Sequence, residues 1–179
     1  MRYNTFGLSA RADLQRASVL KTPDARIFEG LPLMPLYFAY GANMDVVAMG
    51  ARCPRSRPLG RARLVRHRFL IMAEGFASVA PDSRSSVHGV LWDLALSDVR
   101  ALDQFEDVSR GLYKKVQRPV VREPVGSAQA LVYVGHWTQP GAPDPAYFAS
   151  LIAAAREWRL PAGYIAFLES LGAATQQRP

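Results

Sequence analysis

The sequence predicts an α+β domain whose mixed, mostly antiparallel sheet curls into a small barrel with flanking helices. Three observations predict it. Strand-like runs dominate the middle of the chain, from Leu36 to Val134. Helical patterns enter singly or late, which is the order of an α+β chain rather than of alternating strand–helix units. No internal repeat and no linker divides the 179 residues, a length that buries a core as one domain.

The elements follow in order. Leu36 to Tyr40 is a short apolar run stopped by Gly41, the pattern of a buried strand. Asp45 to Gly50 fits a short helix closed by Cys53-Pro54. A long strand is predicted at Arg61 to Met72, then shorter ones at Ala77 to Ala80 and Val87 to Leu94. Ser97 is placed to cap a helix running through Glu106. Two more strands fit Leu112 to Val121 and Ala128 to Val134, with a turn at Pro124-Val-Gly126 between them. Asp144 and Pro145 supply cap and first-turn residues for a helix to about Trp158. Pro161 opens a last helix ending near Gly172, and 175–179 form a tail. Residues 1–33 show no sustained period; they are an extension, flexible or preceding a true start at Met34, to a domain of residues 34–174.

Composition narrows the function classes. Hydrophobic residues make up 49% and charged residues 21%, as in soluble domains. The single cysteine, Cys53, excludes an internal disulfide framework and cysteine-rich zinc sites. His67, His88 and His136 form no pair with metal-ligand spacing, so neither metal nor cofactor is expected. No run of about 18 apolar residues is present, and no signal-peptide stretch. Asp13, Asp24 and Glu29 argue against a transit peptide. A cytoplasmic protein without a membrane partner is expected, as monomer or homodimer. The net charge is +7, and seven arginines lie between Arg52 and Arg68 with no acid among them. That pattern raises nucleic acid as a partner. Only three of the 22 basic residues are lysines, however, which points to compositional bias; arginines along a strand edge also discourage edge-to-edge pairing. Nucleic-acid binding is therefore the disfavoured reading.

Chemistry enters with the helix after Ser97. Val99, Leu102 and Glu106 fall on one face, and Phe105 adjoins it. Arg100, Asp103 and Asp107 fall on another, where they read as solvated. Glu106 is thus an acid carried inward by an apolar stripe. Such a site raises a carboxyl pKa toward neutrality, as a general base at physiological pH requires. The competing reading puts Glu106 at a fraying helix end, reaching water or Arg110.

Tyr37-Phe-Ala-Tyr-Gly-Ala-Asn43 runs from a buried strand into a glycine turn, where small residues let a ligand approach backbone N–H groups. As physics alone, this is equally an ordinary connection. The segment, followed by Met44, resembles the YFAYGSN signature of the γ-glutamylcyclotransferase family. Later stretches are similar to that family's motifs in the same order: Ala77 to Pro81, His88 to Trp92, Leu102 to Val108, Gly111-Leu-Tyr113 and Val132-Tyr133. Pro161 and Tyr164 continue the likeness, which spans residues 36 to 171.

The resemblance implies a small barrel with a pocket at one end. It implies that Glu106 is the catalytic acid/base, that Tyr37, Phe38, Ala39, Tyr40, Gly41 and Ala42 form the substrate-binding turn, and that Tyr133 is a pocket tyrosine. Ala42 stands where the signature has Ser, which puts any role of that hydroxyl in question. The implied reaction is cyclisation of a small γ-glutamyl substrate to 5-oxoproline with release of an amine, without cofactor. Two alternatives stand beside it: removal of a γ-glutamyl group from a biosynthetic intermediate, or a non-catalytic domain binding a small acid or, through Arg52 to Arg68, an RNA.

Overall fold

The computed structural model describes residues 34–136 and 139–176. The expectations for residues 1–33 and for the end of the tail, 177–179, lie outside the described residues. Five strands close into a barrel in the order β1 (Leu36–Ala39), β3 (Ala77–Asp93), β2 (Arg57–Ile71), β4 (Tyr113–Arg122) and β5 (Ser127–Gly135). The β5–β1 seam is parallel, with Tyr37 opposite Leu131, and the other ladders are antiparallel. Among the described residues, four α-helices accompany the barrel: α1 (Val46–Arg52), α2 (Val99–Phe105), α3 (Pro145–Glu157) and α4 (Ala162–Gln176). This is the mixed, mostly antiparallel barrel with flanking helices that the sequence predicts. No helix among the described residues is long and apolar enough to cross a membrane.

The caps explain why the helices start where they do. Asp45 Oδ1 accepts from the backbone N–H groups of Val47 at 2.8 Å and Ala48 at 3.0 Å, satisfying orphan donors of α1. Asp144 Oδ1 does the same for Tyr147 N at 2.8 Å, with Pro145 in the first turn of α3.

Four expectations need correction. β2 begins at Arg57, four residues earlier than expected, and ends at Ile71. The strands expected at 77–80 and 87–94 are one continuous strand, β3. In the polar stretch between them, Asp82 Oδ1 accepts from Arg84 N at 2.9 Å, and Asp82 Oδ2 from Ser85 Oγ at 3.0 Å. Those residues form a bulge, because pairing stops at His67–Pro81 and resumes at Val65–Ser86, leaving 82–85 opposite Arg66 alone. Pairing to β2 on both sides keeps the strand whole, while the bulge bends it. Ser97 does not cap α2. A 3-10 turn at Leu96–Asp98 precedes the helix, and Asp98 accepts instead from Arg55 N at 2.9 Å and Ser56 Oγ at 2.8 Å. Finally, α4 continues past Gly172 to Gln176, into the stretch read as tail.

One core fills the barrel and the helix contacts, with Phe38, Leu64, Trp92, Leu102, Leu151 and Leu168 essentially unexposed. Each such side chain contributes about 2 kcal/mol on burial. β1 lies so close to β3 that a Cβ on Gly89 would meet the Ala39 carbonyl oxygen at 2.1 Å. The chain leaves β1 through the Gly41 bend into a 3-10 turn, Ala42–Met44, closed by Met44 N donating to Gly41 O at 3.0 Å. Trp158, at the end of α3, fastens this turn by donating from Nε1 to Met44 O at 2.8 Å.

Candidate active site

Helix α2 delivers the acid. Leu102 is fully buried, Val99 half-buried, and Glu106 sits at the helix C-cap, its N–H donating to Leu102 O at 3.0 Å. Asp107 then adopts the left-handed conformation, φ 48°, which ends the helix and turns the chain away. Glu106 is left facing a cavity of about 230 Å³. It does not reach for Arg110; its partner is across the cavity floor.

That partner is Asn43, from the turn after β1. Asn43 Nδ2 donates to Glu106 Oε1 at 2.8 Å and to the Tyr37 hydroxyl at 3.0 Å. Asn43 Oδ1 accepts from Arg52 Nη1, on α1. The Arg52 guanidinium in turn lies over the Phe105 ring, 3.3 Å from its centroid. Burial pushes the Glu106 carboxyl from its ordinary 4.5 up to about 7, against the opposing charge of Arg52 and the Asn43 hydrogen bond. A carboxyl poised there exchanges protons readily at neutral pH.

Five tyrosines surround the acid: Tyr37 and Tyr40 from the end of β1, Tyr113 from β4, Tyr133 from β5 and Tyr147 from α3. Burial, reinforced by the nearby Glu106 charge, raises the pKa of each, so all are neutral hydroxyls at physiological pH. Three have their protons committed. Tyr40 donates to the Tyr133 carbonyl, Tyr113 to the Ala77 carbonyl at 2.6 Å and Tyr133 to Asp103 Oδ1 at 2.6 Å. Two do not. The Tyr37 hydroxyl accepts from Asn43, and the Tyr147 hydroxyl accepts from Ala77 N at 3.3 Å, so both can donate into the cavity. Among the described residues, no group of three or more His, Cys, Asp or Glu gathers as a metal site.

The residues singled out in the sequence divide accordingly. Tyr37, Tyr40, Gly41, Ala42, Glu106 and Tyr133 all line this one cavity. Phe38 and Ala39 do not: both are fully buried in the core, where Phe38 stacks on Tyr40. Asp103 and Asp107, read as solvated, are half-buried. Asp103 holds Tyr133 and pairs with Lys115 Nζ at 2.7 Å, and Asp107 lines the cavity. Sequence reasoning missed Asn43, which stood in the motif without a role, and Arg52, which read as part of a basic cluster. It also missed Tyr147, which carries no local signal on a helix. Phe76 and Phe105, each more than a third exposed, form the cavity's apolar rim.

Fold and site together define a class: a small closed barrel that presents one buried, near-neutral carboxyl to a tyrosine-lined cavity. The model of the AIG2-like family matches residues 86–168. Human gamma-glutamylcyclotransferase is 25% identical over 139 residues, covering 72% of this chain and 74% of that protein. The solved structure of a gamma-glutamyl cyclotransferase has a TM-score of 0.71 at 24% identity, covering 76% of this chain and 86% of its own. YkqA from Bacillus subtilis has a TM-score of 0.66 at 22% identity, with 81% of this chain and 55% of that one covered. Over these residues the chain is similar to the AIG2-like family and to gamma-glutamylcyclotransferases, and it shares their fold.

Proposed function

We propose that this protein is a cyclotransferase that converts a γ-glutamyl amine or amino acid to 5-oxoproline and the free amine, with Glu106 as acid and base. The observation that carries the reading is the Glu106 carboxyl, raised by burial to about 7 and lining the same cavity as the Gly41 bend.

Ionised Glu106 takes a proton from the substrate's α-ammonium. The freed amine attacks the γ-carbonyl carbon of the same molecule and closes a five-membered ring. As the tetrahedral centre collapses, protonated Glu106 gives its proton to the departing nitrogen and the C–N bond breaks. The carboxylate so regenerated takes the second proton from the ring nitrogen and passes it to the released amine, which leaves as an ammonium. One amide replaces another, so no external energy source enters. Nucleophile and electrophile share one molecule, so holding the glutamyl chain folded lowers the barrier by several kcal/mol, on the order of 7–11 at best. The Tyr37 and Tyr147 hydroxyls, with protons uncommitted inside the protein, are the donors for the substrate's carboxylate and carbonyl oxygens. Preorganised donors of this kind stabilise charge as it develops.

The charged side chains lining the cavity are Glu106 and Asp107, both acidic. Together with the Phe76 and Phe105 rim, they favour a leaving amine that is neutral, apolar or cationic over one with a carboxylate near the scissile bond. Purified protein offered γ-glutamyl amines, neutral and acidic γ-glutamyl amino acids, and glutathione, with 5-oxoproline monitored, tests both statements. Release from none of them refutes the activity; preference for the acidic members refutes the substrate class.

A further inference from the structure

We propose that Arg52 is a positioning residue of this site: through Asn43 it decides which oxygen of Glu106 moves the proton, and its charge sets the pH range in which that exchange runs. The inference rests on the cyclotransferase reading for its kinetic half alone.

The two ends of an asparagine amide are nearly alike in shape and opposite in chemistry. Asn43 by itself could turn either end toward Glu106. A guanidinium has donors only, so Arg52 Nη1 claims the Asn43 carbonyl oxygen and leaves the amide nitrogen facing the other way. That nitrogen has two protons and two takers, Tyr37 Oη and Glu106 Oε1. Oε1 therefore remains a hydrogen-bond acceptor whether Glu106 is charged or neutral, and the exchangeable proton belongs on Oε2. Arg52 is itself fixed by stacking on Phe105, one residue before Glu106 in sequence. The relay thus links α1 to the end of α2 by two routes.

The groups facing Glu106 are few. Arg52 comes from α1, Tyr37 and Tyr40 from the end of β1, Tyr113 from β4, Tyr133 from β5 and Tyr147 from α3. On its own segment are Asp103, engaged by Tyr133 and Lys115, and Asp107. The tyrosines are neutral, and Arg52 is the cation that acts on the acid.

Carbon-13 NMR titration of the Glu106 carboxyl in the full chain tests this without reference to turnover. In Arg52→Met the midpoint is expected to rise by about one pH unit, since the opposing charge is lost. Arg52→Lys, which keeps the charge, should restore most of that shift. The pH profile of kcat/KM should move with the midpoint: a loss of about tenfold near pH 6, shrinking to about twofold or less near pH 9. If Arg52→Met does not fold, Arg52→Gln carries the same test. An unchanged midpoint in a folded, charge-neutral variant overturns the proposal. A shifted midpoint in a protein that releases no 5-oxoproline keeps the Arg52 relay and removes the cyclotransferase reading.

Discussion

Asn43 Nδ2 stands 2.8 Å from Glu106 Oε1, so a single amide joins the acid at the end of α2 to the turn that floors the cavity. Glutamine at position 106 keeps an oxygen for that bond and cannot carry a proton. Glu106→Gln is therefore expected to bind substrate within a few-fold of the wild type and to lose about 10²–10⁴ in kcat. Calorimetric binding beside a 5-oxoproline assay reads both quantities. Normal turnover by the folded variant would take Glu106 out of the role.

The reaction begins with an ionised Glu106, whose carboxyl is raised by burial to about 7. kcat/KM should fall about tenfold for each pH unit below that value and flatten above it. A profile that is level from roughly pH 5 to 8 would mean that some other group accepts the proton, or that chemistry does not limit the rate.

The same shift has a cost in stability. Between 4.5, the ordinary value, and about 7, the folded protein holds a proton that the unfolded chain has released. Stability from this group is therefore full at low pH and is lost as pH rises through that window. Glu106→Gln removes the penalty. It should match the wild type near pH 4.5 and exceed it by about 1–3 kcal/mol near pH 8, seen as a gap between thermal melts that opens with pH. A gap of the same size at both pH values would contradict this origin.

How much of this was readable depends on the range of each interaction. Glu106 was legible because Val99, Leu102 and Glu106 share a face within one short helix, and a helical period needs no knowledge of the rest of the chain. Asn43 was visible as a motif member, yet its partner lies 63 residues away, and nothing local announces that pairing. Tyr147 is harder still. Its role comes from Ala77, 70 residues back in sequence. Asp103 was misread for the same reason, since Tyr133 on β5 and Lys115 on β4 draw it away from solvent. In β3 the polar residues between Ala80 and Val87 made the sequence read as two strands, but the long ladder to β2 joins them into one. Phe38 and Ala39 came in with the motif as a block, and strand geometry then separated them from the residues that meet the cavity.

The division of the tyrosines makes opposite demands on two variants. Tyr147→Phe deletes a hydroxyl whose proton is uncommitted, so kcat/KM should fall by about 10–100-fold, with a loss in stability below about 1 kcal/mol because the bond it accepts from Ala77 N is long at 3.3 Å. Tyr133→Phe leaves Asp103 without its 2.6 Å donor, so the larger effect should be a loss of about 1–2 kcal/mol in stability. Chemical denaturation and steady-state kinetics on both proteins separate the cases. The reverse pattern would reassign the substrate donor to Tyr133.

Gly41 connects the bend to the same hydroxyl. A Cβ built there would lie 2.7 Å from Tyr147 Oη, closer than any ordinary contact, while its next neighbours are at 3.7 and 3.8 Å. The backbone does not demand glycine by its φ of −123°, so the constraint is the occupied space. Tyr147 cannot easily swing aside, because Ala77 N–H holds its oxygen and Phe76 packs edge-on against its ring, centroids 5.2 Å apart. Gly41→Ala should therefore displace the hydroxyl and cost about 1–3 kcal/mol together with most of the activity. In a Tyr147→Phe background the added methyl meets only ordinary contacts, and its cost in stability should drop below about 1 kcal/mol. The double-mutant cycle measures that coupling directly. Equal costs in the two backgrounds would show that glycine is required at position 41 for the bend itself and not to make room for Tyr147.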